Sequence, residues 1–208
     1  MRLVLWCALL LVVEPAVAVA QSATIERGRA IFEVCGACHG AQAEGNQSLG
    51  APPLAGQSPS YLLRQLDHFN KGIRGSPGDT EGQQMRQILR ALPAAGDWHA
   101  VIAYVQTLSA VRKPFSHGQS RGHGQEVYRL CSSCHSDQAQ GNETLEAPAL
   151  AILPQWYLIA QLKKFRTGIR GRAEEDAAGA RMRAASLALE SDADVKDVAA
   201  YIATRLRH

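Results

Sequence analysis

Cys-x-x-Cys-His occurs twice in this chain, as Cys35, Cys38 and His39 and again as Cys131, Cys134 and His135, 96 positions apart. The repetition is not confined to the cysteines. At the same offset Phe32 falls on Tyr128, Gly45-Asn46 on Gly141-Asn142, Pro52 on Pro148, Leu54 on Leu150 and Tyr61-Leu62 on Tyr157-Leu158. Gln65-Leu66 falls on Gln161-Leu162 and Phe69 on Phe165, and "GIRG" at 72–75 recurs at 168–171. One residue is then inserted, and at an offset of 97 Met85 meets Met182, Asp97 meets Asp194 and Ala103-Tyr104 meets Ala200-Tyr201. Self-similarity at this scale means two homologous units of about ninety residues. Any account of one motif must serve for both.

Each unit reads as helical. Ser22 or Thr24 is the expected cap of a helix that carries Ile25, Ile31 and Phe32 towards the first cysteine. Ser58 to Phe69 sets Leu62, Leu63, Leu66 and Phe69 on one face. Asp97 is the expected cap of a helix with the stripe Val101, Ile102, Val105 and Leu108, and Asp194 of its copy. Alternating patterns typical of strands are absent, so the fold class is all-α. The basic, Gly- and Ser-rich stretch 109–124 separates the units. The boundaries follow as a first domain at 21–112, a linker at 113–121 and a second domain at 122–208. A unit of three or four short helices with a loop of about twenty residues from Gly40 to Pro59 encloses little apolar area by itself. Something large and apolar must complete its core.

Residues 1–20 stand apart. Arg2 precedes the apolar run Leu3 to Val13, and Ala18-Val19-Ala20 supplies the small-x-small pattern read by a signal peptidase. A run of eleven residues makes roughly 16 Å of helix against a hydrocarbon core of about 30 Å. The segment is therefore expected to be a cleaved leader, and the mature chain to carry no transmembrane anchor. Losing Arg2 and Glu14 together leaves the formal charge at +3. Cations and anions are interspersed, so nothing suggests nucleic acid.

Cys7 leaves with the leader, and the four remaining cysteines are the two pairs. A structural zinc site needs four ligands close together, and neither pair has local partners. A thioredoxin-like site needs a βαβ setting, and a disulfide across so short a loop would constrain almost no chain. The histidine after each pair decides between these. At this spacing two sulfurs can form thioethers with the vinyl groups of one haem while the imidazole beneath the ring reaches the iron. Two covalent haem c groups are the cofactors this predicts.

Apart from the initiator, the methionines are Met85 and Met182, at matched positions. A thioether is a soft ligand suited to electron-transfer iron, and a His/Met pair raises the reduction potential. His68, His99, His117, His123 and His208 have no matched copies and read as surface or linker residues. A ligating histidine ordinarily donates its second N–H to a fixed acceptor, for which the loops at Pro52 and Pro148 are suited. Tyr61, Tyr157, Arg74 and Arg170 are candidate donors to haem propionates.

With "APPLAGQSPSYLLRQLDHFNKGIRG" and a methionine in the helical segment after it, the chain resembles the dihaem cytochrome c4 family of duplicated class I c-type cytochromes. The resemblance covers nearly all of the mature chain. It implies two tandem cytochrome c-like domains with approximate two-fold symmetry, and the axial pairs His39 with Met85 and His135 with Met182. It implies a periplasmic carrier of single electrons, not an enzyme, linking a redox protein donor to a membrane-bound cytochrome complex or terminal oxidase. Chains of this kind also serve as cytochrome subunits of flavin-dependent sulfide dehydrogenases. A dihaem peroxidase or thiosulfate dehydrogenase is the enzymatic alternative. The pattern is broken where "LAGQ" at 54–57 becomes "LAIL" at 150–153, which puts the loop shape there in question.

Overall fold

A computed structural model describes residues 13–92, 96–110 and 122–205; most of the expected leader, the linker 113–121, His117 and His208 lie outside them. The first half contains α1 (Val13–His39), a single 3-10 turn at Gln47–Leu49, α2 (Pro59–Lys71), α3 (Thr80–Ala91) and α4 (Gly96–Val105). The second contains α5 (His123–His135), α6 (Gln155–Arg166), α7 (Ala177–Ser186) and α8 (Asp192–Arg205). Among the described residues there is no strand. The single bridges Asn46–Ala51 and Asn142–Ala147 pinch the long loops at matched places.

Each half is organised by the crossing of its first and last helices, α1 with α4 and α5 with α8. The approach is close enough that a Cβ at Gly28 would overlap the Ala100 carbonyl, and one at Gly124 the Asp197 carbonyl. Glycine is required here because the obstacle is backbone, which cannot rotate aside. One turn later Phe32 packs on Tyr104 with ring centroids 5.3 Å apart, and Tyr128 on Tyr201 at 5.6 Å. Leu62, Val101, Ile102 and Val105 complete the first core, and Leu158, Leu162, Val195, Val198 and Ile202 the second.

Several local expectations change. α1 begins at Val13, so Ser22 and Thr24 lie inside it, and Thr24 Oγ1 donates to the Ala20 carbonyl. The Ala- and Glu-containing run has no residue that stops a helix there. Asp97 and Asp194 stand within the first turns of α4 and α8 rather than at the cap. Asp97 is ion-paired with Arg27 of α1. Asp194 accepts from the Ser191 amide at 2.8 Å while Ser191 Oγ accepts from the Asp194 amide at 3.1 Å, a reciprocal capping box. By contrast Ser58 caps α2 as its sequence suggests, taking the Tyr61 amide.

The two halves are packed on one another, and the broken repeat lies at their contact. Gly56, at φ 83°, faces Ile152, whose Cγ2 would be 3.3 Å from a Cβ at Gly56. The loop turn itself is retained: Gln57 N–H donates to Leu54 and Leu153 N–H to Leu150 at matched places. The glycine makes room for its counterpart's isoleucine. Beside it the Gln57 amide donates to the Ala149 carbonyl at 3.0 Å and accepts the Ala149 N–H at 2.9 Å.

Candidate haem sites

In each half the helix bearing Cys-x-x-Cys ends at the histidine, and the chain turns sharply, at Gly40 (φ 81°) in the first and Ser136 (φ 68°) in the second. The loop that follows folds back beneath the imidazole. It is pinned by the Ala43 carbonyl, which accepts from Leu54 at 2.8 Å, and by Ala139, which accepts from Leu150 at 2.8 Å. The result is a matched pair of contacts: His39 Nδ1 lies 2.7 Å from the Pro52 carbonyl and His135 Nδ1 2.9 Å from that of Pro148. A carbonyl can only accept, so Nδ1 carries the proton and Nε2 keeps its lone pair for a metal. Burial lowers both imidazole pKa values, outweighing the carbonyls, and keeps the rings neutral.

His135, Cys131, Cys134 and Met182 line one cavity with about 1310 Å³ of space, including its open mouth. Its walls are α6 (Leu158, Leu162, Phe165), α8 (Val198, Ile202) and, from the other half, Tyr61, Arg64 and Gln65. Met182 comes from α7, whose cap Asp176 accepts the Gly179 amide at 2.7 Å. In the first half α3 carries Met85 at the equivalent place, partly buried, and Asp79 caps it through Gly82 at 3.1 Å. None of the four motif cysteines is joined in a disulfide. Burial raises the Cys35 pKa and pushes Cys131 up to about 11, with Cys134 adding to it.

Arg74 and Arg170 bear on whether a haem fits. Both are 6% exposed, and they meet across the contact between halves. Arg74 donates to Gln65 at 2.7 Å and Gln161 at 3.4 Å; Arg170 donates to Gln161 at 2.7 Å and Gln65 at 3.3 Å. Each guanidinium also lies over a phenyl ring of its own half, 4.3 Å from Phe69 or 4.4 Å from Phe165. Their side-chain hydrogen-bond partners are neutral, the Gln65 and Gln161 amides and, for Arg170, Tyr61 as well, and both Nε atoms are buried without an acceptor. Burial and the charge of Arg74 lower the Arg170 pKa. Two adjacent buried cations call for anions, which propionate carboxylates would supply. The thiol pairs, the imidazole and thioether donors and these buried cations fit haem c.

The structure separates the remaining histidines from one another. His99 is exposed, and His123 begins α5 and bonds Asp194 at 2.8 Å instead of lying in a linker. His68 is not a surface residue: it is 6% exposed and reaches Asp176 of the other half. Gln65 and Gln161 carry no role in the sequence reading, although a matched polar residue between Leu62 and Leu66, on an otherwise apolar face, is the signal that could have found them.

Two all-α halves, each ending a helix in Cys-x-x-Cys-His and carrying a methionine on a matched later helix, with the second set gathered around one cavity, define a tandem c-type cytochrome with two haem c groups. The sequence profile of the cytochrome c family matches residues 25–109 and 122–205. The chain belongs to the cytochrome c family and, within it, to the dihaem cytochrome c4 proteins. It is 32% identical to the thiosulfate dehydrogenase electron acceptor of Stutzerimonas stutzeri (strain A1501) over 178 residues, 81% of this chain and 77% of that protein. It is 28% identical to cytochrome c4 of Azotobacter vinelandii over 188 residues, 84% and 86% of the two chains. The crystal structure of reduced recombinant cytochrome c4 from Pseudomonas stutzeri superposes with a TM-score of 0.70 at 27% identity, covering 86% of this chain and 96% of that one. This is a dihaem electron-transfer cytochrome.

Proposed function

We propose that Cys35 and Cys38 anchor one haem and Cys131 and Cys134 the other, with His39 and Met85, and His135 and Met182, as the axial pairs. The observation that carries this reading is the cavity in which His135 and Met182, from separate helices, face the same space as both cysteines. When bound, each iron exchanges one electron at a time between ferric and ferrous states. The protein's part is to hold the imidazole through Pro52 or Pro148, close the sixth position with a thioether and exclude water with apolar walls. With protein side chains as both ligands of each iron, this reading makes the protein an electron carrier and not an enzyme.

The reading extends to the setting. Residues 1–20 act as an export signal cleaved after Ala20, leaving domains at 21–112 and 122–208 in the periplasm. No helix among the described residues is long and apolar enough to cross a membrane. Electrons come from a redox protein and pass to a membrane-bound cytochrome complex or terminal oxidase. A thiosulfate dehydrogenase as donor is a second reading, favoured by the relative named as electron acceptor of such an enzyme.

Ligand binding tests the ligand set. The ferric protein is expected to show methionine-to-iron charge-transfer absorption from two sites and to bind cyanide or, when reduced, carbon monoxide slowly. Rapid binding at one haem, or turnover of peroxide or thiosulfate at about 1–1000 per second, would replace the carrier with an enzyme.

A further inference from the structure

The caps of the two methionine helices are each met by a residue from the opposite half, and the two residues differ. Asp79, which caps α3, is met by Lys164 of α6 at 2.5 Å; Asp176, which caps α7, is met by His68 of α2, with Nδ1 3.8 Å from Oδ1. The arrangement is reciprocal because His68 and Lys164 occupy the same place in the repeat, as do Asp79 and Asp176. All four side chains are largely buried. In both cases the contacted Oδ1 is the atom that accepts the capping amide, from Gly82 or from Gly179. Lys164 also binds Glu81 at 2.7 Å, whereas the place matched to Glu81 is held by Ala178. One cap thus has a permanent cation and two carboxylates, and the other a single carboxylate and an imidazole.

We propose that this difference makes the two redox centres unequal: Lys164 fixes the charge beside the Met85 centre, while His68 gains and loses a proton beside the Met182 centre and couples its potential to pH. Asp176 lines the cavity of Met182 and His135, so charge on His68 is felt there. Other charged groups act on His68 as well. On its own helix are Arg64 and Asp67, the latter paired with Lys71 at 2.8 Å; from the following loop comes Arg74 and from the other half Asp176. Burial, Arg64 and Arg74 favour the neutral ring, and Asp176 and Asp67 favour the charged one. Burial is the largest of these influences and holds the His68 pKa below the ordinary imidazole value.

The sign follows from charge. An electron from the donor protein lowers the positive charge at the C-terminal centre, so the reduced protein binds a proton from solvent at His68 more tightly than the oxidised protein. The potential of that centre is then higher at low pH, falls as pH rises between the His68 pKa values of the oxidised and reduced forms, and levels above both. A tenfold difference in proton affinity appears as a fall of about 59 mV.

The test uses the holoprotein, with both midpoint potentials followed from pH 5 to 9 in the wild type, His68→Lys and Lys164→His. The expected results are a fall of about 59 mV at the C-terminal centre of the wild type and less than half of it in His68→Lys. The N-terminal centre should acquire the dependence in Lys164→His. Half or more of the wild-type fall surviving in His68→Lys would overturn the proposal. Should either variant not fold, NMR titration of the His68 ring in oxidised and reduced wild type decides: a tenfold change in proton affinity supports it and equal affinities refute it. The inference rests on the axial ligands proposed above. Loss of the methionine charge-transfer absorption in the wild type would refute those ligands, whereas two such bands with a pH-independent C-terminal potential refute this coupling alone.

Discussion

Gln57 is the clearest place to test what holds the halves together. Its side chain is 3% exposed and pairs with both backbone groups of Ala149, donating at 3.0 Å and accepting at 2.9 Å. Ala149 is itself 9% exposed, so removing the amide strands one buried N–H and one buried C=O. At about 1–3 kcal/mol for each group left unpaired, and with some relief from water entering the vacated space, Gln57→Ala should lose roughly 2–4 kcal/mol. Gln57→Leu separates hydrogen bonding from volume. It restores the side chain found at the matched Leu153 but pairs neither group, and should lose nearly as much. The assay is guanidinium unfolding of the holoprotein, followed by circular dichroism and by the methionine charge-transfer band. Uncoupling of the halves would also lower the slope with denaturant. If Gln57→Leu unfolds within about 0.5 kcal/mol of the wild type, the bidentate pairing is not what docks the two halves.

Changing Cys35 and Cys38 to Ala should leave one haem after acid-acetone extraction, as judged by mass and by haem absorbance; two retained haems, or bound zinc, would contradict the assignment. Met182→His should keep the C-terminal centre low-spin but lower its potential, because imidazole donates more strongly than thioether. A fall of about 120 mV would be a hundredfold change in a one-electron equilibrium, with the N-terminal centre titrating almost as before. Gly124→Ala places a methyl group against the Asp197 carbonyl where α5 crosses α8. Overpacking of about 1–3 kcal/mol outweighs the roughly 1 kcal/mol of helix propensity gained, so the thermal midpoint should drop; a rise would show that the helices can separate without loss.

Residue type and spacing alone revealed the duplication, the helical class and the need for two haem c groups, and singled out the four motif cysteines, His39, His135, Met85 and Met182 as the candidate donors, because the chemistry of haem attachment is local to five residues and methionine is scarce. They also led to the carbonyls of Pro52 and Pro148, since a ring nitrogen needs an acceptor nearby in the chain. They did not disclose the contact between halves. Gln57 and Ala149 are 92 positions apart, and Gln65 meets Arg170 across 105. His68 lost its apparent surface character for the same reason: a solitary histidine on α2 has nothing in its neighbourhood to keep it from water until α7 of the other half covers it. Local pattern determines which groups each unit offers, while burial and pairing between units depend on how two surfaces dock, and that is decided only when the tertiary structure brings them together.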